Sequence, residues 1–98
     1  MLFILICKDK PGQLDLRMAT RPKHIEYLDG LKQAGTLKFA GPFIGDDGKP
    51  LGSLLAVEAA DRAEAAKLAA GDPYAQAGLF ATTDIQAWNW TYGAPEAR

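Results

Sequence analysis

Apolar positions along the chain follow two periods, one that predicts strands and one that predicts helices. Residues 2–7 form a short run of bulky side chains, apolar on both faces, and the run stops at Lys8, Asp9, Lys10, Pro11 and Gly12, a charged loop with a turn dipeptide. That pattern predicts a strand. Residues 13–19 predict a helical turn that sets Arg17 and Arg21 four apart on one side, and Pro22 then fixes the backbone for the first turn of a main helix ended by Gly35. Turning roughly 100° per residue, with Leu28 and Leu31 inward, puts His24 near the middle of the apolar stripe. Ile25, Tyr27 and Ala34 flank it, while Glu26, Asp29 and Gln33 face water.

The second half shows no internal repeat of the first. Residues 36–40 alternate as a strand that runs into Gly41 and Pro42, and Asp46, Asp47, Gly48 and Lys49 carry the Asp-Gly signal of a hairpin turn. Residues 53–57 supply a third strand. Asp61 and Glu64 have capping-box spacing and open an alanine-rich helix to about Ala70, which Gly71 ends. Asp72 and Pro73 then start one short helical turn, closed by Gly78. Residues 80–90 read as a last strand with Ala81, Thr83, Ile85 and Ala87 on one face and Trp88 and Trp90 on the other, and residues 91–98 as a polar tail.

The order β-α-β-β-α-β predicts an α+β ferredoxin-like sandwich, an antiparallel sheet with both helices on one face. Helices on one face should leave the other polar, yet the first and third strands are apolar on both sides. A second subunit is the natural cover, so the pattern predicts a homodimer with two sheets face to face and Trp88 and Trp90 near the junction or the rim of a cleft.

Composition narrows the function. The 98 residues fit one domain, 1–98, and eleven basic against twelve acidic side chains give a net charge of −1 with no basic stripe. Nucleic acid is excluded on that ground. Cys7 is alone, and the opening apolar run is too short to span a bilayer and lacks the flanks of a signal peptide, so no membrane partner and a cytoplasmic location are expected. A single histidine with scattered carboxylates gives no metal site, and no glycine-rich loop links a strand to a helix, so no cofactor is expected.

Candidate chemistry gathers around His24. An imidazole on a buried helix face needs a partner, and at a helix start the macrodipole favours the neutral ring, which is the form that acts as a base. The alternative is a histidine hydrogen-bonded inside the core for packing alone. Arg17, Arg21 or Lys8 could hold an anionic group, with surface ion pairing as the plain reading. Ser53 and Tyr74 are hydrogen-bond candidates, with an ordinary strand residue and a core aromatic as the plain reading. Asp72 before Pro73 reads on its own as a helix cap, and Cys7, inside an apolar strand, is a poor nucleophile.

Lys8-Asp9-Lys10, Arg17, Arg21-Pro22-Lys23-His24, Ala40-Gly41-Pro42, Gly52-Ser53, Asp72-Pro73-Tyr74 and Ala77-Gly78-Leu79 follow one another in an order and spacing that resembles the YciI-like, or YCII-related, family over nearly the whole chain. The short connection over residues 43–51 and the Trp-rich end over residues 88–92 lie outside that likeness. The resemblance implies a dimeric α/β barrel of ferredoxin-like subunits whose active-site residues match His24 and Asp72, a fold also similar to muconolactone isomerases and small cofactor-free monooxygenases. One branch of the family removes chloride from chlorinated hydroxyquinol-type rings. In such a fold Asp72 reaches the imidazole, fixes its tautomer and raises its basicity. The chemistry expected is lyase or isomerase action, by proton abstraction from a small cyclic acid or phenol, with Arg17, Arg21, Ser53 and Tyr74 binding the substrate. Two other readings remain: a non-catalytic dimer that binds a small anionic or aromatic molecule, and an oxygen-dependent ring oxidation without a cofactor.

Overall fold

A computed structural model describes residues 1–95. Four strands, β1 (Leu2–Asp9), β2 (Leu37–Ile44), β3 (Pro50–Glu58) and β4 (Phe80–Trp88), alternate with helices α1 (Leu14–Gln33), α2 (Arg62–Ala70) and α3 (Pro73–Gln76). The sheet order is β2-β3-β1-β4, antiparallel throughout, with the two doubly apolar strands in the centre. This is the ferredoxin-like α+β fold expected from the pattern. The predicted polar tail lies partly outside the described residues. No helix among them is long and apolar enough to cross a membrane.

Register decides which side chains meet. Leu5 sits between Leu55 and Ile85, and Cys7 between Ser53 and Thr83, so the odd positions of β1 share a face with these neighbours. On that face Phe3, Leu5, Cys7, Leu55 and Val57 pack with Ala65 and Ala69 of α2, and Leu28 of α1 leans against them. Alanines on α2 let the helix come close. Its N-terminus is tied as predicted at Asp61, which accepts from the Glu64 N–H at 2.8 Å, while Glu64 reaches back to the N–H of Ala60 at 2.9 Å.

Three boundaries differ from the sequence reading. β1 continues through Asp9, so its charged end belongs to the strand and Asp9 shares the face of Cys7. β4 stops at Trp88 rather than Trp90. The helical turn and the main helix are one continuous helix, α1, with Pro22 inside it. A proline there removes one ladder bond and costs about 3 kcal/mol. Arg17 and His24 are both buried and held by other elements, one on each side of Pro22, and that anchoring offsets the cost and keeps the helix continuous.

The other face of the sheet carries no helix, yet Ile4 and Ala56 are buried on it. Phe39 of β2 and Trp88 of β4 explain this. They stand on the two edge strands and meet across the centre, ring centroids 5.9 Å apart and edge to face. Trp90 joins them, 4.9 Å from Phe39 and 5.9 Å from Trp88. The Trp-rich end is thus an aromatic cover for the chain's own central strands.

Candidate active site

Two helices and one strand bring the predicted residues together. α3 begins at Asp72, whose Oδ1 accepts from the Tyr74 N–H at 2.9 Å, and ends where Leu79 N–H donates to Tyr74 C=O and Gly78 N–H to Ala75 C=O. Gly78 has φ +77°, the left-handed conformation that this closure requires. A short helix pinned at both ends presents one carboxylate and one aromatic ring to α1. Its approach is set upstream as well: Tyr27 donates to Leu68 C=O at 2.7 Å, and a Cβ on Gly71 would lie 2.8 Å from the Tyr27 hydroxyl.

His24 meets Asp72 there, with Nδ1 2.8 Å from Oδ1. The two are 6% and 1% exposed. Because Oδ1 already accepts from a backbone N–H, it accepts from the ring too, and Nδ1 carries the proton. Nε2 is therefore the lone-pair nitrogen. It has no hydrogen-bond partner and is not sealed from solvent among the described residues, where the one buried unpartnered side-chain atom is Asp72 Oδ2. With that oxygen unpartnered, the carboxylate is held through Oδ1 alone, by the imidazole N–H and the Tyr74 N–H. His24 lies in the middle of α1 and not at a helix start, so the macrodipole invoked for that position has no hold on it.

Tyr74 joins the histidine to Arg17. Its ring stacks on His24 with centroids 4.0 Å apart, and the Arg17 guanidinium lies 4.5 Å from its centroid. Burial pushes the Tyr74 phenol up, and the nearby Arg17 and Arg21 oppose it. Arg17, 4% exposed, donates from Nε to Asp9 Oδ2 at 2.7 Å and from one terminal nitrogen to Ser53 Oγ at 2.7 Å. Asp9 is the functional neighbour that the sequence reading missed. Its signal was the alternation Phe3, Leu5, Cys7, Asp9, which places it on the helix face.

A pocket of about 350 Å³ opens between α1 and the β2–β3 hairpin. Arg17, Arg21, His24, Ser53 and Tyr74 line it, so five of the six candidate residues share one cavity and the sixth, Asp72, stands behind His24. The apolar wall includes Met18, Ile25, Leu28, Pro42 and Leu55, of which Ile25 and Met18 are exposed at its rim. Lys8, exposed on the alternate side of β1, does not line it. Burial raises the Cys7 thiol to about 11, so it stays protonated beneath the site.

This geometry has relatives. The YCII-related domain profile matches residues 1–89. Protein YciI of Escherichia coli is 29% identical over 92 residues, covering 88% of this chain and 94% of the relative. The derivative of benzaldehyde biosynthesis cluster protein C of Emericella nidulans is 35% identical over 66% of this chain and 74% of its own length. Among solved structures, the 5-chloro-2-hydroxyhydroquinone dehydrochlorinase TftG of Burkholderia phenoliruptrix, in complex with 2,5-dihydroxybenzoquinone, superposes with a TM-score of 0.82 at 36% identity. That match covers 91% of this chain and 94% of TftG. An antibiotic biosynthesis monooxygenase, 16% identical with a TM-score of 0.50, shares the fold alone. Profile, relatives and superposition converge on the resemblance seen in the motifs: the chain belongs to the YCII-related domain family.

Proposed function

We propose that the chain is a cofactor-independent lyase acting on a small hydroxylated ring, with His24 as general base and Asp72 as the residue that orients it. The observation that carries this reading is the contact of Nδ1 with Asp72 while Nε2 is left free at a pocket. A base must offer a lone pair to the substrate and hold its own tautomer, and an imidazolium formed during reaction would be met by the carboxylate behind it. The dehydrochlorinase neighbour and its quinone ligand support a ring substrate.

Elimination from a chlorinated hydroxyhydroquinone balances without an oxidant. One hydroxyl proton moves to the ring carbon that bears chloride, a second hydroxyl loses its proton, and the electron pair it leaves behind shifts through the ring to expel chloride. The net loss is HCl and the product is a hydroxyquinone. His24 can make both proton abstractions from one position. Isomerisation would use the first abstraction alone.

The open face supports a further proposal, that two copies pair through their sheets. Phe39, Trp88 and Trp90 cover Ile4 and Ala56, but Trp88 remains 38% exposed on a face without a helix. Sedimentation equilibrium should give a dimer at micromolar concentration.

Chloride release from 5-chloro-2-hydroxyhydroquinone, followed with an ion-selective electrode, tests the activity. His24→Ala should lower turnover by about 10² to 10⁴-fold and Asp72→Asn by less, compared at equal folded fraction by circular dichroism. Unchanged turnover in His24→Ala would end the general-base assignment. Ring binding by the wild type without turnover would favour the non-catalytic binding dimer.

A further inference from the structure

The charges around the pocket are unevenly matched. Arg17 is answered by Asp9, the neutral His24 ring donates to Asp72, and neither carboxylate lines the cavity. Arg21 also lines the pocket, and among the described residues it has no ion pair. No carboxylate lines the cavity. One cation therefore faces the ligand unanswered, beside the apolar wall of Met18, Ile25, Leu28, Pro42 and Leu55.

From this we infer that the ligand of the pocket is a hydroxybenzoate-type monoanion, with its carboxylate on Arg21 and a ring hydroxyl at His24 Nε2. The inference rests on the ring-substrate reading above and goes beyond it by naming the charge that the ring carries and the residue that selects it. Three features lead there. Arg21 and His24 are three residues apart on one helix, so their side chains start about 5–6 Å apart on neighbouring positions, the span of two substituents on one ring. A guanidinium pairs with a planar carboxylate through two parallel hydrogen bonds, whereas an ordinary phenol is uncharged near neutral pH. A phosphate dianion would need a second unanswered cation, which the lining does not supply. Tyr74, Leu28, Leu55 and Pro42 offer the flat apolar contacts that a ring fills.

Isothermal titration with 2,5-dihydroxybenzoate and its uncharged counterpart 2,5-dihydroxybenzamide reads the inference directly. The wild type should bind the carboxylate about 10-fold more tightly than the amide. Arg21→Gln should bring the two within about 2-fold, and Arg21→Lys should keep part of the preference. Equal binding of both rings by the wild type, a preference that survives Arg21→Gln, or no binding of either at millimolar concentration would overturn the inference. Failure of the lyase reading shows separately, as no chloride release from a chlorinated dihydroxybenzoate with the binding preference intact.

Discussion

The two faces of the sheet solve the burial of the same central strands in opposite ways. On the helix face, odd positions of β1 run from Phe3 to Asp9, and apolar packing gives way to a cluster in which Arg17, Asp9, Ser53, His24 and Asp72 bond one another beside a pocket. On the open face, Ile4 and Ala56 are buried by aromatic rings reaching in from both edges. One face joins a core to charged groups that must each find a partner; the other is a plain apolar cover. Reactive geometry accordingly belongs to the first, where losing one partner strands another, and not to the second, where losses should follow buried area.

The comparison is broken most sharply at Asp9. Asp9→Ala leaves the Arg17 guanidinium buried without its carboxylate and should cost about 3–5 kcal/mol in urea unfolding, and adding Arg17→Met should recover part of it. A cost of a few tenths would mean that the pair is no more than a surface ion pair. Trp88→Ala comes next. Removing a partly exposed ring should cost about 1–3 kcal/mol and weaken self-association while ligand binding in the pocket changes by less than about 2-fold. Loss of binding on a par with loss of stability would show that the faces are coupled.

The smallest effect concerns Cys7, which lies on the helix face between Ser53 and Thr83. Its thiol is raised from 9.0 to about 11, mainly by burial. The unfolded chain ionises first as pH rises, so stability is unaffected below about pH 9 and falls between there and pH 11. Cys7→Ala should lack that decline. Tyr27 and Tyr74, whose phenols are also raised by burial, add their own loss at higher pH in both proteins. Parallel alkaline profiles for the two proteins would remove Cys7 from the buried cluster.

Local signals in the sequence made the fold legible. Strands β1 and β3 are apolar on both faces, Asp61 and Asp72 are helix caps at the expected places, and glycine follows α1, α2 and α3. What could not be read was decided by distant groups. Pro22 reads as a helix start because its local preference is strong, and only the anchors on Arg17 and His24 keep it inside α1. Asp9 reads as loop beside Lys8 and Lys10; the alternation of Phe3, Leu5 and Cys7 reaches it, but its partner, the buried Arg17, belongs to another element. The meeting of Phe39 with Trp88 needs the strand order, which brings β2 and β4 to opposite edges of the face that both rings cross. His24 and Asp72 stand out one by one, as a buried imidazole and a cap; their contact across 48 positions is a property of the fold.

The central claim is that His24 keeps its proton on Nδ1, against Asp72, and its lone pair on Nε2, at the pocket. Because the chain has one histidine, ¹⁵N-detected NMR reads that ring without assignment, at a pH where it is neutral. The account predicts a protonated Nδ1 and a bare Nε2 in the wild type, with the preference weakened in Asp72→Asn. A proton found on Nε2, or a tautomer balance that Asp72→Asn does not move, would contradict it.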